Sequence, residues 1–119
     1  METIKDLVGL TFETVNISSS YGDDVITFEN KNSVYKLYHS QDCCECVNVE
    51  KITGSLHHLS DTPILEAIET NPELPSNEQY DSFTWTNYKF VTARGIVEIL
   101  WYGHSNGYYS ESVNFCKVK

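Results

Sequence analysis

The residues from His39 to Cys46 concentrate the side chains that could carry metal or thiol chemistry. They read HSQDCCEC, with three cysteines and one histidine. Structural zinc sites pair their ligands as C-x(2-4)-C and add a second pair far along the chain. The only distant cysteine here is Cys116. We therefore expect no metal and no cofactor, and we expect two of the clustered cysteines to be small buried hydrophobes; a zinc site is the alternative.

The cysteine spacing also bears on disulfides and on catalysis. Adjacent cysteines are poor disulfide partners, because the bond requires Cβ atoms that face each other across a gap. We expect no disulfide framework of the kind that small secreted domains use. A reactive thiol at Cys43 or Cys44 would need His39 or His104 beside it to favour the thiolate. We expect the protein not to be an enzyme, and a small metal- or thiol-dependent enzyme is only the third hypothesis.

Two carboxylates lie in the same segment. Asp42 and Glu45 flank the adjacent cysteines. An aspartate near the start of a turn can accept hydrogen bonds from backbone N–H groups, so we expect Gln41 and Asp42 to hold an irregular connection in shape. The two carboxylates could also accept hydrogen bonds from the hydroxyls of a ligand. We keep both interpretations and take Asp42 and Glu45 as candidate ligand-binding residues.

A second segment, residues 101–111, reads WYGHSNGYYSE and combines aromatic rings with hydrogen-bonding groups. Tyrosine and tryptophan provide flat stacking surfaces with a polar tip, which suits a base, a ribose or a protein partner. Asn106–Gly107 is the preferred pair for a type I′ turn, so we predict a hairpin that joins strand 96–102 to strand 108–118. The candidate ligand-binding residues of this segment are Trp101, Tyr102, His104, Asn106, Tyr108 and Tyr109.

The charge balance limits the partners. Eight Lys+Arg against seventeen Asp+Glu give a net charge of -9, which argues against DNA, RNA or an anionic membrane as a partner. No Lys or Arg occurs between Lys51 and Lys89. Such an acidic stretch is usually a solvated surface, and the alternative is a face that docks on a basic groove of another protein. Its acidic residues are Asp61, Glu66, Glu69, Glu73, Glu78 and Asp81.

A phosphorylated ligand would need cations or backbone N–H groups around it. Because Lys and Arg are few, Arg94 and Lys36 are the cations that we nominate. Association of subunits could gather them at a shared pocket, so the sequence allows a homo-oligomer.

The elements that must position these residues are mostly strands. Tyr, Val, Ile and Thr are frequent and Ala is scarce, which favours strands over helices. We predict one domain over residues 1–119 of mainly β structure: a single antiparallel sheet, rolled or barrel-like, with seven or eight strands and one or two short helical turns. The predicted strands are residues 10–17, 25–29, 33–39, 46–52, 63–69, 83–92, 96–102 and 111–118.

The connections follow from turn composition. Residues 18–24 (SSSYGDD) are predicted to be a turn, residues 25–39 a hairpin, and residues 70–82, with two prolines, the best loop of the chain. Residues 63–69 fit a strand or a short helix, and we favour the strand. Residues 3–8 and 55–60 are the predicted helical turns.

Membrane and export signals are missing from the sequence. No apolar run approaches the roughly 20 residues that a membrane span needs, and the N-terminal residues lack the pattern of a signal peptide. We therefore expect a soluble cytoplasmic protein.

Four stretches resemble a family of small phage and prophage proteins of unknown function. They are YHSQDCCECV (38–47), TPILEA (62–67), FTWTNYKF (83–90) and WYGHSNGYYSESV (101–113). The resemblance runs from about Val8 to Val113, with Thr62, Cys46 and Asn87 as small departures. It implies a phage-encoded protein that acts in the host bacterial cytoplasm, and it implies no biochemical activity.

The leading hypothesis is a non-enzymatic counter-defence protein that sequesters a small nucleotide-derived signal in an aromatic and polar pocket. Side chains of residues 101–109 would stack on the base, and Asp42 and Glu45 would bind ribose hydroxyls. The alternative is an acidic inhibitor that docks residues 61–81 on a host defence enzyme or a nucleic-acid-binding enzyme. Both follow from the class of small phage accessory proteins, so the support is by association.

Overall fold

Eight strands and two short 3₁₀ helices make up the computed structural model, which describes residues 2–76 and 82–119. The 3₁₀ helices are Ile4–Leu7 and Leu56–Leu59. The strands are β1 (Thr14–Ser20), β2 (Asp23–Glu29), β3 (Val34–Tyr38), β4 (Cys46–Thr53), β5 (Glu66–Thr70), β6 (Ser82–Thr92), β7 (Gly95–Ser105) and β8 (Asn114–Lys117). In the ranges that the structure describes, no helix is long and apolar enough to cross a membrane.

The strands form two four-stranded sheets. Sheet A has the order β1-β2-β3-β8, and sheet B has the order β4-β7-β6-β5, with every neighbouring pair antiparallel. The predicted mainly-β fold with short helical turns is therefore confirmed. The difference lies in the sheets, because two sheets face each other instead of one rolled sheet. The chain changes sheet after β3 and returns after β7, which a plain meander does not do.

The hydrophobic core lies between the two sheets. Phe28 of β2 and Phe90 of β6 contact each other across the gap, with ring centroids 5.4 Å apart. Strand β6 alternates between the two faces of sheet B, because Tyr88 and Phe90 face this core and Phe83 faces outward. Trp101 is fully buried. Its indole nitrogen is the only buried side-chain polar atom without a partner among the described residues.

Most predicted strands are confirmed. Hairpin 25–39 corresponds to β2 and β3, and 46–52 corresponds to β4. The ambiguous 63–69 contains β5, so the strand prediction holds there. Strand 96–102 lies centrally between β4 and β6, as its continuous apolar character indicates. In the predicted loop 70–82, residues 71–76 have no regular structure, and residues 77–81 lie outside the described ranges.

The turn predicted at residues 18–24 is shorter than predicted. Both strands continue into it, and Ser20 pairs with Asp23 around a turn of only Tyr21 and Gly22. Both turn residues have positive φ, 53° and 82°, as a two-residue hairpin turn requires. The low β propensity of the serines and aspartates is outweighed by this pairing with the opposite strand.

The hairpin predicted at Asn106–Gly107 is also wrong. Strand β7 runs on to Ser105, and β8 pairs with β3 in sheet A instead of with β7. Residues 106–113, here called the crossover segment, pass from one sheet to the other. Of the turn pair only Gly107 has a positive φ, +93°, while the Asn106 side chain accepts a hydrogen bond from the Tyr108 N–H at 3.1 Å. That local bond stabilises a bend instead of a type I′ turn.

A close approach at Gly103 lets the crossover segment pass over sheet B. A Cβ at this position would lie 2.7 Å from the Glu111 carbonyl oxygen and 3.1 Å from the Val47 side chain. The first distance is too short for a carbon atom and the second is tight, so the absence of a side chain is what allows Glu111 to reach the strand.

Replacement of Gly103 by alanine tests this approach. We expect Gly103→Ala to lower the free energy of unfolding by about 1–3 kcal/mol, because the methyl group overpacks a filled space. Urea unfolding followed by circular dichroism measures the change. Ser18→Ala, on the exposed edge strand β1, is the control and should stay within about 0.5 kcal/mol of the parent. Equal stability of the two variants would contradict the contact.

Candidate functional site

Glu45 is the centre of the connection between β3 and β4. Its side chain has 0% of its surface exposed. The carboxylate accepts hydrogen bonds from the backbone N–H of Asp42 at 2.9 Å and of Cys43 at 3.0 Å. It also accepts from His39 Nε2 at 2.8 Å. The Glu45 carboxylate thus holds the loop in shape, a role that we expected of Gln41 and Asp42.

His39 connects this loop to the crossover segment. Its Nδ1 lies 2.7 Å from the backbone carbonyl oxygen of Ser112, on the side opposite to Glu45. The imidazole thus lies between two oxygen atoms, one from the Glu45 carboxylate and one from the backbone of Ser112. Asn114 strengthens the same link, because its side chain accepts from the Ser40 N–H at 2.8 Å.

The surroundings of Glu45 lower its pKa. The value falls from 4.5 to about 2, first because the Cys43 N–H donates to the carboxylate, with further contributions from His39 and Asp42. Burial acts in the opposite direction and is outweighed. Glu45 is therefore ionised at neutral pH with its acceptor positions occupied.

The cysteines differ from the expectation. Cys43, Cys44 and Cys46 are all exposed, while Glu45 between them is buried. The structure joins Cys43 and Cys44 in a disulfide of adjacent residues and leaves Cys46 and Cys116 free. The expectation of buried cysteines is wrong because the loop turns around the Glu45 carboxylate, which directs the cysteine side chains outward. Over residues 2–76 and 82–119, no group of three or more His, Cys, Asp or Glu side chains could hold a metal ion.

A polar cleft opens where the crossover segment lies over one end of sheet B. Its volume is about 350 Å³. Hydroxyl, amide and carboxylate groups form most of its wall, and the rest comes from backbone and from tyrosine rings. The lining residues are Glu69, Asn71, Ser82, Thr84, Thr86, Tyr88, Tyr109, Ser110, Glu111, Ser112 and Val113.

Glu111 fixes the crossover wall of this cleft. It is buried, with one carboxylate oxygen accepting from Thr84 Oγ1 at 2.8 Å and the other from Ser105 Oγ. Ser105 Oγ in turn accepts from the Gly107 N–H at 3.0 Å. A buried carboxylate persists only when its oxygens are hydrogen-bonded, so this network is what keeps the crossover segment in place.

Tyr88 and Glu69 form the opposite part of the wall. Burial raises the pKa of the Tyr88 hydroxyl well above its ordinary value, and the charge and hydrogen bond of Glu69 raise it further. The hydroxyl therefore keeps its proton and donates a hydrogen bond to the carboxylate. Glu69 stands opposite Tyr88 in the pairing of β5 with β6, which brings both to the core side of the sheet.

A second groove adjoins the polar cleft and shares Glu69, Tyr88 and Val113 with it. Its volume is about 390 Å³. Phe115 and Ile4 make it more apolar than the cleft. Its remaining lining residues are Glu2, Thr3, Lys5 and Asn114. Together the two spaces make one groove with a polar end and an apolar end.

Of the predicted ligand-binding residues, only Tyr109 lines the polar cleft. Tyr108 next to it points into solvent, with 89% of its surface exposed, and Asn106 is also exposed. Trp101 is in the core, Asp42 is on the exposed surface, and Glu45 is occupied by its loop.

Arg94 lies far from these residues. It is in the turn before β7, where its guanidinium donates to the Ser60 carbonyl oxygen at 2.7 Å. His104 is ten residues further along the same strand, a distance of roughly 33 Å. One small ligand therefore cannot contact both. Lys36 lies on β3 of sheet A, and it does not line the cleft.

Tyr102 and His104 lie on the outer face of sheet B. Tyr102 packs on Trp85, with ring centroids 4.4 Å apart, and on His104 at 5.7 Å. Its hydroxyl lies 2.7 Å from Ser76 Oγ. Trp85 Nε1 donates to the Leu74 carbonyl oxygen at 3.1 Å. These rings thus anchor the start of loop 70–82 instead of lining a pocket.

The acidic stretch does not lie on one face. Glu66 and Glu69 are three residues apart on β5, so they point to opposite sides of sheet B. Asp61 precedes β5 in a turn with a positive φ of 59°. Glu78 and Asp81 lie outside the described residues.

Sequence reasoning missed the residues that build the cleft, which are Glu69, Thr84, Tyr88 and Glu111. One signal was present: strand 83–92 carries threonines at positions 84 and 86, in phase with Tyr88 and Phe90. A polar start to an otherwise apolar face indicates that the core ends there.

Comparison with known proteins places the chain in a family without an assigned activity. A family model described as a domain of unknown function, DUF7448, matches residues 5–115. No curated protein and no solved structure matches the chain significantly.

The pKa of Glu45 makes a prediction for stability against pH. Because the folded state lowers the pKa from 4.5 to about 2, the ionised carboxylate stabilises the fold fully above pH 4.5. This contribution should be lost as the pH falls from 4.5 to about 2. Urea unfolding across this range should therefore show a steeper loss for the parent than for Glu45→Gln. Parallel curves for the two proteins would contradict the assignment.

Proposed function

We propose that this chain, which belongs to the DUF7448 family of domains of unknown function, is a non-enzymatic protein that binds a small ribose-bearing ligand in the polar cleft. One observation carries the proposal: hydroxyl groups and two carboxylates surround a cavity large enough for a sugar. Carboxylates accept hydrogen bonds in pairs, and neighbouring sugar hydroxyls donate them in pairs.

The charge of the cleft selects the part of the ligand that enters. No Lys or Arg lines it among the described residues, and Glu69 and Glu111 would repel a phosphate. A nucleotide-derived ligand therefore places its ribose in the cleft and leaves its phosphates outside. Lys5 is the cation that lines the adjoining groove, and it already donates to the Ala67 carbonyl oxygen at 3.3 Å.

The rest of the groove suits a flat ring. Tyr109 is half-buried at the cleft wall, and Val113 leads from the cleft to Phe115 in the apolar groove. A base attached to the ribose can thus stack on an aromatic side chain while the sugar contacts the carboxylates.

The biological setting follows the sequence resemblance. A phage-encoded protein of this kind would act in the host bacterial cytoplasm and withdraw a nucleotide-derived immune signal by binding it. The resemblance supports this setting by association, whereas the cleft supports the binding itself.

The ligand class can be tested by thermal shift and titration calorimetry. Adenosine and ADP-ribose should raise the melting temperature, because a ligand that binds only the folded state stabilises it. Dideoxyadenosine, which lacks the 2′ and 3′ hydroxyls, is the matched ligand control and should give a much smaller shift. No shift with any ribose-bearing compound, or an equal shift with the dideoxy compound, would overturn the proposal.

Two adjacent tyrosines provide a matched pair of variants. Tyr109→Ala should weaken binding by about 10- to 100-fold, since stacking of a base on an aromatic ring contributes about 1–3 kcal/mol. Tyr108→Ala should bind like the parent, because its ring points away from the cleft. If Tyr108→Ala lost binding and Tyr109→Ala kept it, the ligand would lie elsewhere.

A further inference from the structure

We infer that the outer face of sheet B binds a second copy of this chain, with Lys89 of each copy facing the partner's Glu98 across a two-fold axis. The face consists of the outward rows of β6 and β7. These rows are Val91 with Ile96, Lys89 with Glu98, and Asn87 with Leu100.

The outer face is apolar at its margins. Ile96 has 54% of its surface exposed, and Ile68 on the neighbouring strand β5 has 37%. Val91 and Leu100 are half-buried beside them. The rows of Trp85 and Tyr102 at the other end are already covered by residues 71–76. The uncovered part thus carries aliphatic side chains on either side of the Lys89–Glu98 row, and exposed aliphatic groups are typical of interfaces between subunits.

The charges of this face differ from those of the whole chain. The protein carries seventeen acidic residues against eight basic ones. The outward rows of β6 and β7 carry one of each, Lys89 and Glu98, directly opposite each other, and the flanking strands add Glu66 on β5 and Lys51 on β4, which keeps the balance. Two copies that are strongly anionic elsewhere can therefore approach through this face without net repulsion.

The pairing of β6 with β7 makes the face self-complementary. Consider a two-fold axis that lies in the interface, parallel to the strands and above the midline between β6 and β7. This axis places β6 of one copy over β7 of the other. In both copies, Lys89 then faces the partner's Glu98 and Val91 faces the partner's Ile96. This is the isologous contact of a two-fold dimer, in which the same patch serves on both subunits.

The polar cleft lies on the core side of sheet B, away from this face, so the two proposals are independent. A monomer that binds adenosine would overturn the dimer and leave the ligand proposal intact. A dimer that binds no ribose-bearing compound would overturn the ligand proposal and leave the dimer intact.

Charge reversal at the two positions tests the contact between copies. Light scattering during size exclusion should give a dimer for the parent and monomers for Lys89→Glu and Glu98→Lys, because each variant faces like charges at both contacts. The dissociation constant should rise by roughly 100-fold or more.

An equimolar mixture of the two variants should form a heterodimer. At each contact, opposite charges then face each other again, because one chain carries two carboxylates in this row and the other carries two ammonium groups. The two charges within each chain stay alike in the mixture. Recovery of the dimer therefore reports the contact between chains alone.

Lys31→Glu is the matched control. Lys31 lies in the exposed turn between β2 and β3, far from sheet B, and its reversal changes the net charge by the same amount as Lys89→Glu. This variant should remain dimeric. Circular dichroism should show that all variants stay folded. A monomeric parent at high micromolar concentration, dimeric single variants, or a mixture that stays monomeric would each overturn the inference.

Discussion

The buried carboxylate of Glu111 sets the path of the crossover segment from one sheet to the other. The chain has to leave the central strand of sheet B and add its last strand to sheet A. Thr84 and Ser105 donate hydrogen bonds to the Glu111 side chain. Gly103 has no side chain, and the Glu111 backbone occupies the space that one would fill. Without these contacts the crossover segment would have no fixed path over the end of the core. Its path makes that end polar and forms one wall of the cleft.

The connection between β3 and β4 holds the same segment through a second buried carboxylate. Glu45 orients the ring of His39, and His39 contacts the carbonyl oxygen of Ser112. Two carboxylates, one on each side, thus fix a segment that has no strand partner of its own. Because the donors around both are supplied by the fold, neither depends on a ligand for its stability. The fold therefore forms the cleft without a ligand, which would lower the cost of the binding that we propose.

The strands were predictable because their signals are local. Alternation identifies strands 46–52 and 83–92, and a continuous apolar run identifies the centre of β7. The partner of the last strand was not predictable in this way. Asn106–Gly107 favours a hairpin, but the crossover is decided by contacts between distant residues, such as Thr84 with Glu111 and His39 with Ser112.

The same limit applies to the site. Residue types alone suggested the cysteines and the aromatic rings as site residues. Their burial in the fold gives several of them a different role. Glu45 is inside while its cysteine neighbours are outside, and Tyr102 supports a loop while Tyr109 lines the cleft. Tyr108 is exposed to solvent, whereas Tyr109, the next residue of the crossover segment, lines the cleft. Only the path of the segment in three dimensions decides between them.

Backbone amide NMR during a titration with adenosine locates the residues that a bound ligand contacts. Binding in the polar cleft predicts that the largest chemical shift changes fall on residues 109–113 and on Thr84 and Thr86, with little change at Arg94 or in the turn between β1 and β2. Shift changes confined to the outer face of sheet B, or to the loop around Glu45, would contradict it. So would a spectrum that does not change at all.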